Sequence, residues 1–160
     1  MHTFVYPDNI DTDRIIPGKY TKTLDMSALA AHVLEDLDPN FARTVQPGDT
    51  LVAGWNFGCG SSREQAPIAL KAAGVSVVVA KSFARIFYRN AINIGLPLVE
   101  LGEHDIQPGA QVTVDMANGL VRDDSGKTYL AAKMPEVMMA ILEAGGLVGY
   151  LKKNKTYKKM

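Results

Sequence analysis

The spacing of apolar and polar positions predicts alternating strands and helices up to about residue 100 and mostly strands after that. Short apolar runs rich in β-branched residues are typical of buried strands, and apolar positions three or four residues apart are typical of amphipathic helices. The predicted strands are 2–6, 50–53, 75–79, 98–101, 111–116, 120–122 and 128–131. Turn signals at Asn118-Gly119 and Ser125-Gly126 indicate that the last strands are antiparallel.

The same spacing predicts four helices. Asp25 or Ser27 is predicted to cap the first helix and Ser82 the third, while the second begins near Gln65 or Ala66 and the fourth at Pro135. The four helices end at Pro39, Gly74, Gly95 and Gly145. The inward face of the third helix is predicted to hold Phe83, Ile86, Phe87, Asn90, Ala91 and Ile94. In the last helix the inward residues are predicted to be Val137, Met138, Ile141 and Leu142.

One glycine-rich stretch stands between the strand at 50–53 and the helix after it, and it reads GWNFGCGSSREQ over residues 54–65. A loop that enters a helix N-terminus presents unpaired N–H groups beside the positive end of the helix dipole. Arg63 adds a planar fork suited to a carboxylate or a phosphate. The stretch therefore indicates an anion site, although a turn with a Ser61–Glu64 capping box also explains the local pattern. It completes neither a P-loop nor a dinucleotide fingerprint.

Composition narrows the class of protein. The chain has 160 residues, 47% of them apolar and 21% charged, which is typical of a soluble globular protein, and we assign residues 1–160 to a single domain. A formal net charge of zero predicts no nucleic-acid partner, and the lysines near the end indicate a solvated basic tail over about 152–160. No apolar run is long enough to cross a membrane and no leader is recognised, so a cytoplasmic location is predicted.

The single cysteine and the three scattered histidines limit the cofactors that this chain can hold. An iron–sulfur cluster needs three or four thiolates, and no histidine pair has the spacing of a zinc site. We therefore predict no cofactor and no metal ion in this chain. Cys59 lies near Arg63 and a predicted helix N-terminus, where a reactive thiolate is conceivable, but a small packed side chain is the favoured interpretation.

Three carboxylates crowd into the loop after the first strand, at Asp8, Asp11 and Asp13. Oxygen ligands at alternate positions suggest a calcium loop, but the glycine and the closing glutamate of that motif are missing. A surface loop built from Asx turns explains the same residues.

Three blocks of sequence resemble a known family. Residues 8–13 read DNIDTD, residues 56–67 read NFGCGSSREQAP, and residues 80–97 read AKSFARIFYRNAINIGLP. In this order and spacing they resemble the swivelling domain of the aconitase superfamily, and more narrowly the small subunits of 3-isopropylmalate dehydratase (isopropylmalate isomerase) and homoaconitase. The likeness runs over nearly the whole chain. It implies an α/β fold of three layers, β/β/α, with mixed sheets.

The resemblance also implies roles for site residues. Ser61 takes a proton from the carbon next to a substrate carboxylate, and Ser62 and Arg63 bind that carboxylate. Asp13 matches an active-site aspartate that orients groups at the interface with a catalytic partner. Elementary chemistry is compatible with the first role, because a serine hydroxyl works as a base only where nearby positive charge favours the alkoxide.

In the family, the loop after the first strand selects the variable side chain of the substrate. Here residues 19–25 are predicted to form a mobile loop, and Thr21 and Lys22 are its candidate substrate contacts. An apolar loop suits an isopropyl group, whereas a cation suits an additional carboxylate. Isopropylmalate isomerisation in leucine biosynthesis is therefore the first hypothesis. Homoaconitate hydration in lysine biosynthesis, or dehydration of a methyl-substituted malate, is its rival.

Removing such a proton also requires an acceptor for the leaving hydroxyl, commonly a Lewis acid, and this chain offers no site for one. The resemblance implies a large partner subunit that carries a [4Fe–4S] cluster, a small hydroxy-dicarboxylate substrate, and self-association of the small subunit when isolated. A non-catalytic, carboxylate-binding regulatory module is the alternative of another class. Arg85 and Arg89 share a helix face as a solvated stripe, a carboxylate support or a partner contact, and the sequence leaves this open.

Overall fold

The computed structural model describes residues 2–23 and 25–153. Four parallel strands lie side by side in chain order, β1 (Thr3–Val5), β2 (Thr50–Val52), β3 (Val77–Ala80) and β4 (Leu98–Glu100). A second, antiparallel sheet contains β5 (Val112–Asp115), β6 (Leu120–Asp123) and β7 (Thr128–Leu130). The helices are α1 (Thr12–Ile15), α2 (Met26–His32), α3 (Phe41–Thr44), α4 (Gln65–Ala73), α5 (Arg85–Asn93), α6 (Glu136–Glu143) and α7 (Leu147–Lys153), with a 3₁₀ turn at Gly18–Tyr20.

The parallel sheet is the middle of three layers. Successive side chains of a strand point to opposite faces, and here both faces are apolar. Leu51, Val78 and Leu98 pack on one face against the helices. Val52, Val79 and Val99 pack on the other face against Val121 and Tyr129 of the second sheet. The predicted β/β/α fold class is confirmed. Parallel and antiparallel strands both occur, but in separate sheets, because one sheet is purely parallel and the other purely antiparallel.

The region between β1 and β2 differs most from the prediction. Helix α2 starts where expected, because the Asp25 carboxylate accepts from the backbone N–H groups of Ser27 and Ala28 at 3.0 and 3.4 Å. It ends at His32 rather than at Pro39. Leu34 adopts a positive φ of 56°, is fully buried, and donates its N–H to the Ile15 carbonyl at 2.7 Å. A tertiary contact therefore overrides the four-residue apolar spacing.

The C-terminal region contains a helix that the sequence pattern did not reveal. A tail was predicted from residue 152, but α7 continues to Lys153, so Lys152 and Lys153 belong to its last turn. The rest of the predicted tail, residues 154–160, lies outside the described residues. Gly149 lies within α7, and glycine is a poor helix former, so helix propensities do not predict a helix here. Within the described residues no helix has the length and apolarity needed to cross a membrane.

The order of the parallel strands brings the three sequence blocks together. Strands β1, β2 and β3 are neighbours, so their carboxyl ends lie at the same edge of the sheet. The loops that hold residues 8–13, 54–64 and 81–84 leave from these three ends. Ligands of open α/β sheets bind outside the carboxyl ends of the strands, so this edge is where a site is expected.

Candidate active site

Backbone hydrogen bonds join the aspartate-rich loop to the glycine-rich loop. Gly58 donates to the Ile10 carbonyl at 2.7 Å, and Thr12 donates to the Cys59 carbonyl at 2.8 Å. One step further back, Asn9 donates to the Trp55 carbonyl at 2.8 Å. These bonds use the peptide groups of both loops, so the two segments form one continuous floor.

A third segment is attached to the same floor. Phe57 donates to the Ser82 carbonyl at 3.0 Å, and Ala84 donates to the Phe57 carbonyl at 2.9 Å. The Ser82 hydroxyl accepts from the Asn56 N–H at 2.8 Å, so the prediction that Ser82 caps α5 is wrong. Ala84 precedes α5 without any side-chain cap. The Ser82 hydroxyl is thus bonded to the glycine-rich stretch. This bond fixes the start of α5 beside that stretch.

Gly58 allows α5 to approach the floor closely. Its φ is +84°, in the region that favours glycine, and a Cβ at this position would lie 2.3 Å from the ring of Phe87 on α5. The Phe87 ring is buried and meets the Phe57 ring edge-on, with centroids 5.3 Å apart. The missing Cβ thus sets the separation between the glycine-rich loop and the first turns of α5.

The space between these two walls is a cleft of about 370 Å³. It is lined by Thr12, Gly58, Gly60, Ser61, Ser62, Arg63, Ala84, Arg85, Ile86, Phe87 and Asn90. Ser61 and Ser62 are exposed at its mouth. In the part of the chain that the structure describes, the Ser61 hydroxyl has no hydrogen-bond partner, so it is open to an incoming molecule.

A hydrogen bond from the Thr12 side chain fixes the position of the Ser61 peptide. This side chain is almost fully buried, and its hydroxyl donates to the Ser61 carbonyl at 2.7 Å. A buried hydroxyl that is satisfied by one carbonyl fixes the position of that peptide. Thr12 was not singled out as a site residue, although it lies between Asp11 and Asp13 in one of the three family-like blocks.

Arg63 and Asp13 form an ion pair across the floor. Arg63 Nη1 lies 2.8 Å from Asp13 Oδ1, and the same carboxylate oxygen accepts from the Gly18 N–H at 3.1 Å. The side chain of Arg63 is 24% exposed and that of Asp13 is 62% exposed, so solvent screens the pair. Only Nη1 of the guanidinium is bonded within the described residues, which leaves Nε and Nη2 as donors for an anion.

Gly18 provides the surface on which the Arg63 guanidinium lies. A Cβ at this position would be 3.1 Å from Nη1 and 3.3 Å from Nη2. Because this is closer than ordinary van der Waals contact, any side chain at position 18 moves the guanidinium. Gly18 is therefore a second residue that sequence reasoning passed over, and only the folded backbone reveals its role.

The alternative explanation of the glycine-rich stretch, a capping box at Ser61 and Glu64, does not apply, and α4 starts at Gln65 as predicted. Helix α4 begins at Gln65, its N-cap position is Glu64, and no side chain caps it. Proline is tolerated only in the first turn of a helix, so α4 starts shortly before Pro67. Ser61 lies four residues before the first helical residue, in a loop held by Thr12, and its hydroxyl is consequently not used as a cap.

The loop predicted to discriminate substrates is attached to the site. Tyr20 stacks on His32 with ring centroids 3.9 Å apart, and the Thr21 carbonyl accepts from Gln65 Nε2 at 2.9 Å. Gln65 immediately follows the glycine-rich loop, so one residue links both regions. Lys22 is exposed. The predicted loop 19–25 thus has anchors at Tyr20 and Thr21, and Leu24 lies outside the described residues.

Cys59 is half-buried rather than fully packed. Burial, together with the nearby Asp11 carboxylate, raises the pKa of its thiol, so the neutral thiol is favoured. A nucleophilic thiolate therefore has no support here. Within residues 2–23 and 25–153, no group of three or more His, Cys, Asp or Glu residues is arranged to hold a metal ion.

Helix α5 presents an unexpected residue to the cleft. Ile86 was predicted to face inward, but it is 51% exposed and lines the cleft beside Arg85. Phe87 and Ala91 are buried as predicted, and Ile92, which was not predicted to face inward, is buried with them. Val137 of α6 was also predicted inward and is 53% exposed. Met138, Ile141 and Leu142 of α6 pack in or against the core as predicted, so the predicted face is correct apart from Ile86 in α5 and Val137 in α6.

Comparisons with known proteins point to one family. A family described as the Aconitase C-terminal domain matches residues 42–103. The 3-isopropylmalate dehydratase small subunit of Caldicellulosiruptor bescii is 59% identical over 150 residues, which is 92% of this chain and 90% of that protein. The protein of the same name from Nautilia profundicola is 55% identical, with 94% of each chain covered.

A solved structure of a related protein has the same fold as this chain. The crystal structure of 3-isopropylmalate dehydratase from Methanocaldococcus jannaschii is 46% identical in sequence, with a TM-score of 0.91. The match covers 98% of this chain and 95% of that one. The likeness therefore extends over all three layers.

Proposed function

This chain belongs to the family of 3-isopropylmalate dehydratase small subunits, and from this membership we propose that it supplies the proton-transferring half of an isopropylmalate isomerase. The enzyme is a hydro-lyase that interconverts 2-isopropylmalate and 3-isopropylmalate by dehydration and rehydration in leucine biosynthesis. One observation carries the proposal: the unpartnered Ser61 hydroxyl lies at the mouth of a cleft that Arg63 also lines.

Ser61 acts as the base in this proposal. Its oxygen takes the proton from the carbon adjacent to a substrate carboxylate and returns a proton in the rehydration step. The open donors of Arg63 and the hydroxyl of Ser62 hold that carboxylate. Positive charge from the guanidinium favours the deprotonated serine, and Asp13 holds the guanidinium at 2.8 Å without taking all its donors.

The leaving hydroxyl requires chemistry from another polypeptide. This chain has one cysteine, Cys59, and its thiol is kept neutral, so the residues present do not fit an iron–sulfur cluster. We propose that the large partner subunit carries the [4Fe–4S] cluster and covers the Ser61 cleft. A cytoplasmic location, one domain over residues 1–160, and self-association of the isolated chain stay predictions from the sequence.

Reconstitution tests the proposal. The purified chain is mixed with an isopropylmalate isomerase large subunit under anaerobic, iron-replete conditions, and the hydratase rate on 3-isopropylmalate is measured. We expect the rate to rise with added small subunit and to saturate when the two are equimolar. A chain that binds dicarboxylates but adds no hydratase activity would instead be a regulatory module.

Arg63→Lys separates bidentate binding from simple charge. A lysine ammonium is a point charge and cannot reproduce the planar fork, so we expect KM for 3-isopropylmalate to rise about tenfold with a smaller change in kcat. Steady-state kinetics of the reconstituted enzyme measure both constants. Arg122→Lys on β6 is the matched control, and an equal rise in KM there would contradict the assigned role.

Lys22→Val tests the choice between isopropylmalate and homoaconitate. An exposed lysine contributes a modest attraction to a third carboxylate, so its loss should raise the preference for isopropylmalate roughly two- to fivefold. The quantity to compare is the ratio of kcat/KM values for the two substrates. Lys19→Val on the neighbouring turn is the control. An unchanged ratio would remove Lys22 from the set of specificity residues.

A further inference from the structure

His104 is a buried imidazole that contacts the strand leading into the glycine-rich loop. It follows β4, is only 7% exposed, and meets the Tyr129 ring of the second sheet edge-on with centroids 6.1 Å apart. Its Nε2 lies 2.8 Å from the Ala53 carbonyl oxygen, and its Nδ1 lies 3.2 Å from the backbone nitrogen of Ile106. Both ring nitrogens are therefore used inside the protein.

The two partners of the His104 ring determine its tautomer. A carbonyl oxygen only accepts hydrogen bonds, so Nε2 must carry the proton that is donated to Ala53. A backbone N–H only donates, so Nδ1 must be the bare nitrogen that accepts from Ile106. The neutral imidazole with its proton on Nε2 is the form that satisfies both bonds.

The Ala53 carbonyl is available to His104 because the sheet pairing shifts at this residue. Val52 lies opposite Val79, and Ala53 donates to the Val79 carbonyl at 2.8 Å. In a regular parallel ladder the next bond would run from the Lys81 N–H to the Ala53 carbonyl. The Lys81 N–H instead donates to the Gly54 carbonyl at 3.1 Å. The pairing thus slips by one residue, as in a β-bulge, where the glycine-rich loop begins.

Two adjacent carbonyls, those of Ala53 and Gly54, compete for the Lys81 N–H. Ala53 is buried, and a buried carbonyl needs a hydrogen-bond donor. His104 supplies that donor, which leaves the Lys81 N–H to the Gly54 carbonyl. If the imidazole is removed, the regular ladder bond from Lys81 is the nearest remedy for the Ala53 carbonyl, and forming it displaces the start of the loop.

Resting on the function proposed above, we propose that His104 is a positioning residue for the reaction. Its Nε2–H sets the register in which the glycine-rich loop leaves β2, and this register determines where Ser61 and Arg63 lie. His104 lies outside the set of described residues that line the Ser61 cleft, so it acts through the loop and not on the substrate. Loop bonds such as that from Phe57 to the Ser82 carbonyl, at 3.0 Å, depend on the same register.

Two variants separate the two hydrogen bonds of His104. His104→Gln has an amide N–H that reaches the Ala53 carbonyl, but it loses the acceptor for Ile106. His104→Asn has an oxygen that accepts from the Ile106 N–H two residues on, as in an Asx turn, but it is too short to reach Ala53. Each variant gives up one hydrogen bond, so Tm should fall by similar amounts in both.

The kinetics of the reconstituted enzyme should distinguish these variants although their Tm values do not. We expect His104→Asn to lower kcat/KM for 3-isopropylmalate about 10- to 100-fold, because small misplacements of a catalytic group are costly, and His104→Gln to stay within about threefold of wild type. A purely structural role would make activity follow Tm. Equal losses in the two variants, or a smaller loss in His104→Asn, would overturn the proposal.

NMR of the isolated full-length chain tests the register without any enzyme assay. In wild type and His104→Gln, we expect a scalar coupling across the hydrogen bond from the Lys81 nitrogen to the Gly54 carbonyl carbon. In His104→Asn the coupling should move to the Ala53 carbonyl carbon, and its retention at Gly54 would contradict the inference. Imidazole nitrogen shifts of wild type should show a proton on Nε2, and a proton on Nδ1 instead would also contradict it.

These measurements keep the inference distinct from the proposed function. If the wild-type chain adds no activity to the large subunit, the proposed function fails, and the coupling from Lys81 still decides whether His104 sets the register. If wild type is active and His104→Asn matches it in kcat/KM, the positioning role fails and the proposed function stands.

Discussion

Ser61→Ala is expected to lower kcat of the reconstituted enzyme by about 10²- to 10⁴-fold, the usual contribution of a positioned general base. The substitution removes the hydroxyl that is proposed to take the proton and changes little else, because the described residues make no hydrogen bond to that hydroxyl. The Ser61 carbonyl keeps its hydrogen bond from Thr12, so the loop is expected to keep its shape. KM should change much less than kcat, since Ser62 and Arg63 remain.

The controls for this variant address assembly and specificity. Affinity of the variant for the large subunit is measured directly and should equal that of wild type. Ser125→Ala, in the turn before β7, removes a comparable hydroxyl far from the cleft and should leave kcat unchanged. A Ser61→Ala enzyme with undiminished kcat would show that another group takes the proton.

Gly58→Ala is expected to destabilise the protein by roughly 2–4 kcal/mol. A non-glycine residue at positive φ costs about 1 kcal/mol, and forcing an extra carbon into a packed region costs about 1–3 kcal/mol. Here both apply, because φ is +84° and the added Cβ would lie 2.3 Å from Phe87. Chemical denaturation of the isolated chain gives the change in free energy of unfolding.

Gly126→Ala provides the matched control for Gly58→Ala. Its φ is +93°, similar to that of Gly58, but nothing lies within 4 Å of the added Cβ. It should therefore report the backbone cost alone, about 1 kcal/mol. The difference between the two variants measures the contact that positions α5 against the glycine-rich loop. Equal destabilisation would mean that Phe87 moves away freely and does not set the width of the cleft.

These two substitutions probe different levels of one arrangement. Ser61 is the residue proposed to take the proton, whereas Gly58 determines how closely α5 approaches the loop that holds Ser61. A partly destabilised Gly58→Ala enzyme that still assembles should thus lose substrate affinity as well, because α5 would move away from the loop that holds Ser62 and Arg63.

Much of the fold follows from local patterns in the sequence. The β-branched run that contains Val77 to Val79 forms a strand buried on both faces, and Asn118-Gly119 joins two antiparallel strands, both as predicted. Such patterns work because burial on one or both faces dictates where apolar residues must lie. The start of α2 was also predicted correctly, since its Asp25 cap is a contact between near neighbours.

The errors share a physical cause. Helix α2 ends early because Leu34 bonds to Ile15, and Ser82 fails to cap α5 because the Asn56 N–H takes its hydroxyl. In both cases a partner distant in sequence competes successfully with the local interaction. Local propensities are worth about 1 kcal/mol or less per residue, so tertiary contacts readily override them.

The sequence by itself determined the family-like blocks, the strands and the chemical types at the site, because these depend on residue identity and short-range spacing. Only the tertiary structure decided which of them meet. Asp13 and Arg63 are 50 residues apart in the chain and 2.8 Å apart in space. They meet because β1 and β2 are parallel neighbours whose carboxyl ends share one edge of the sheet.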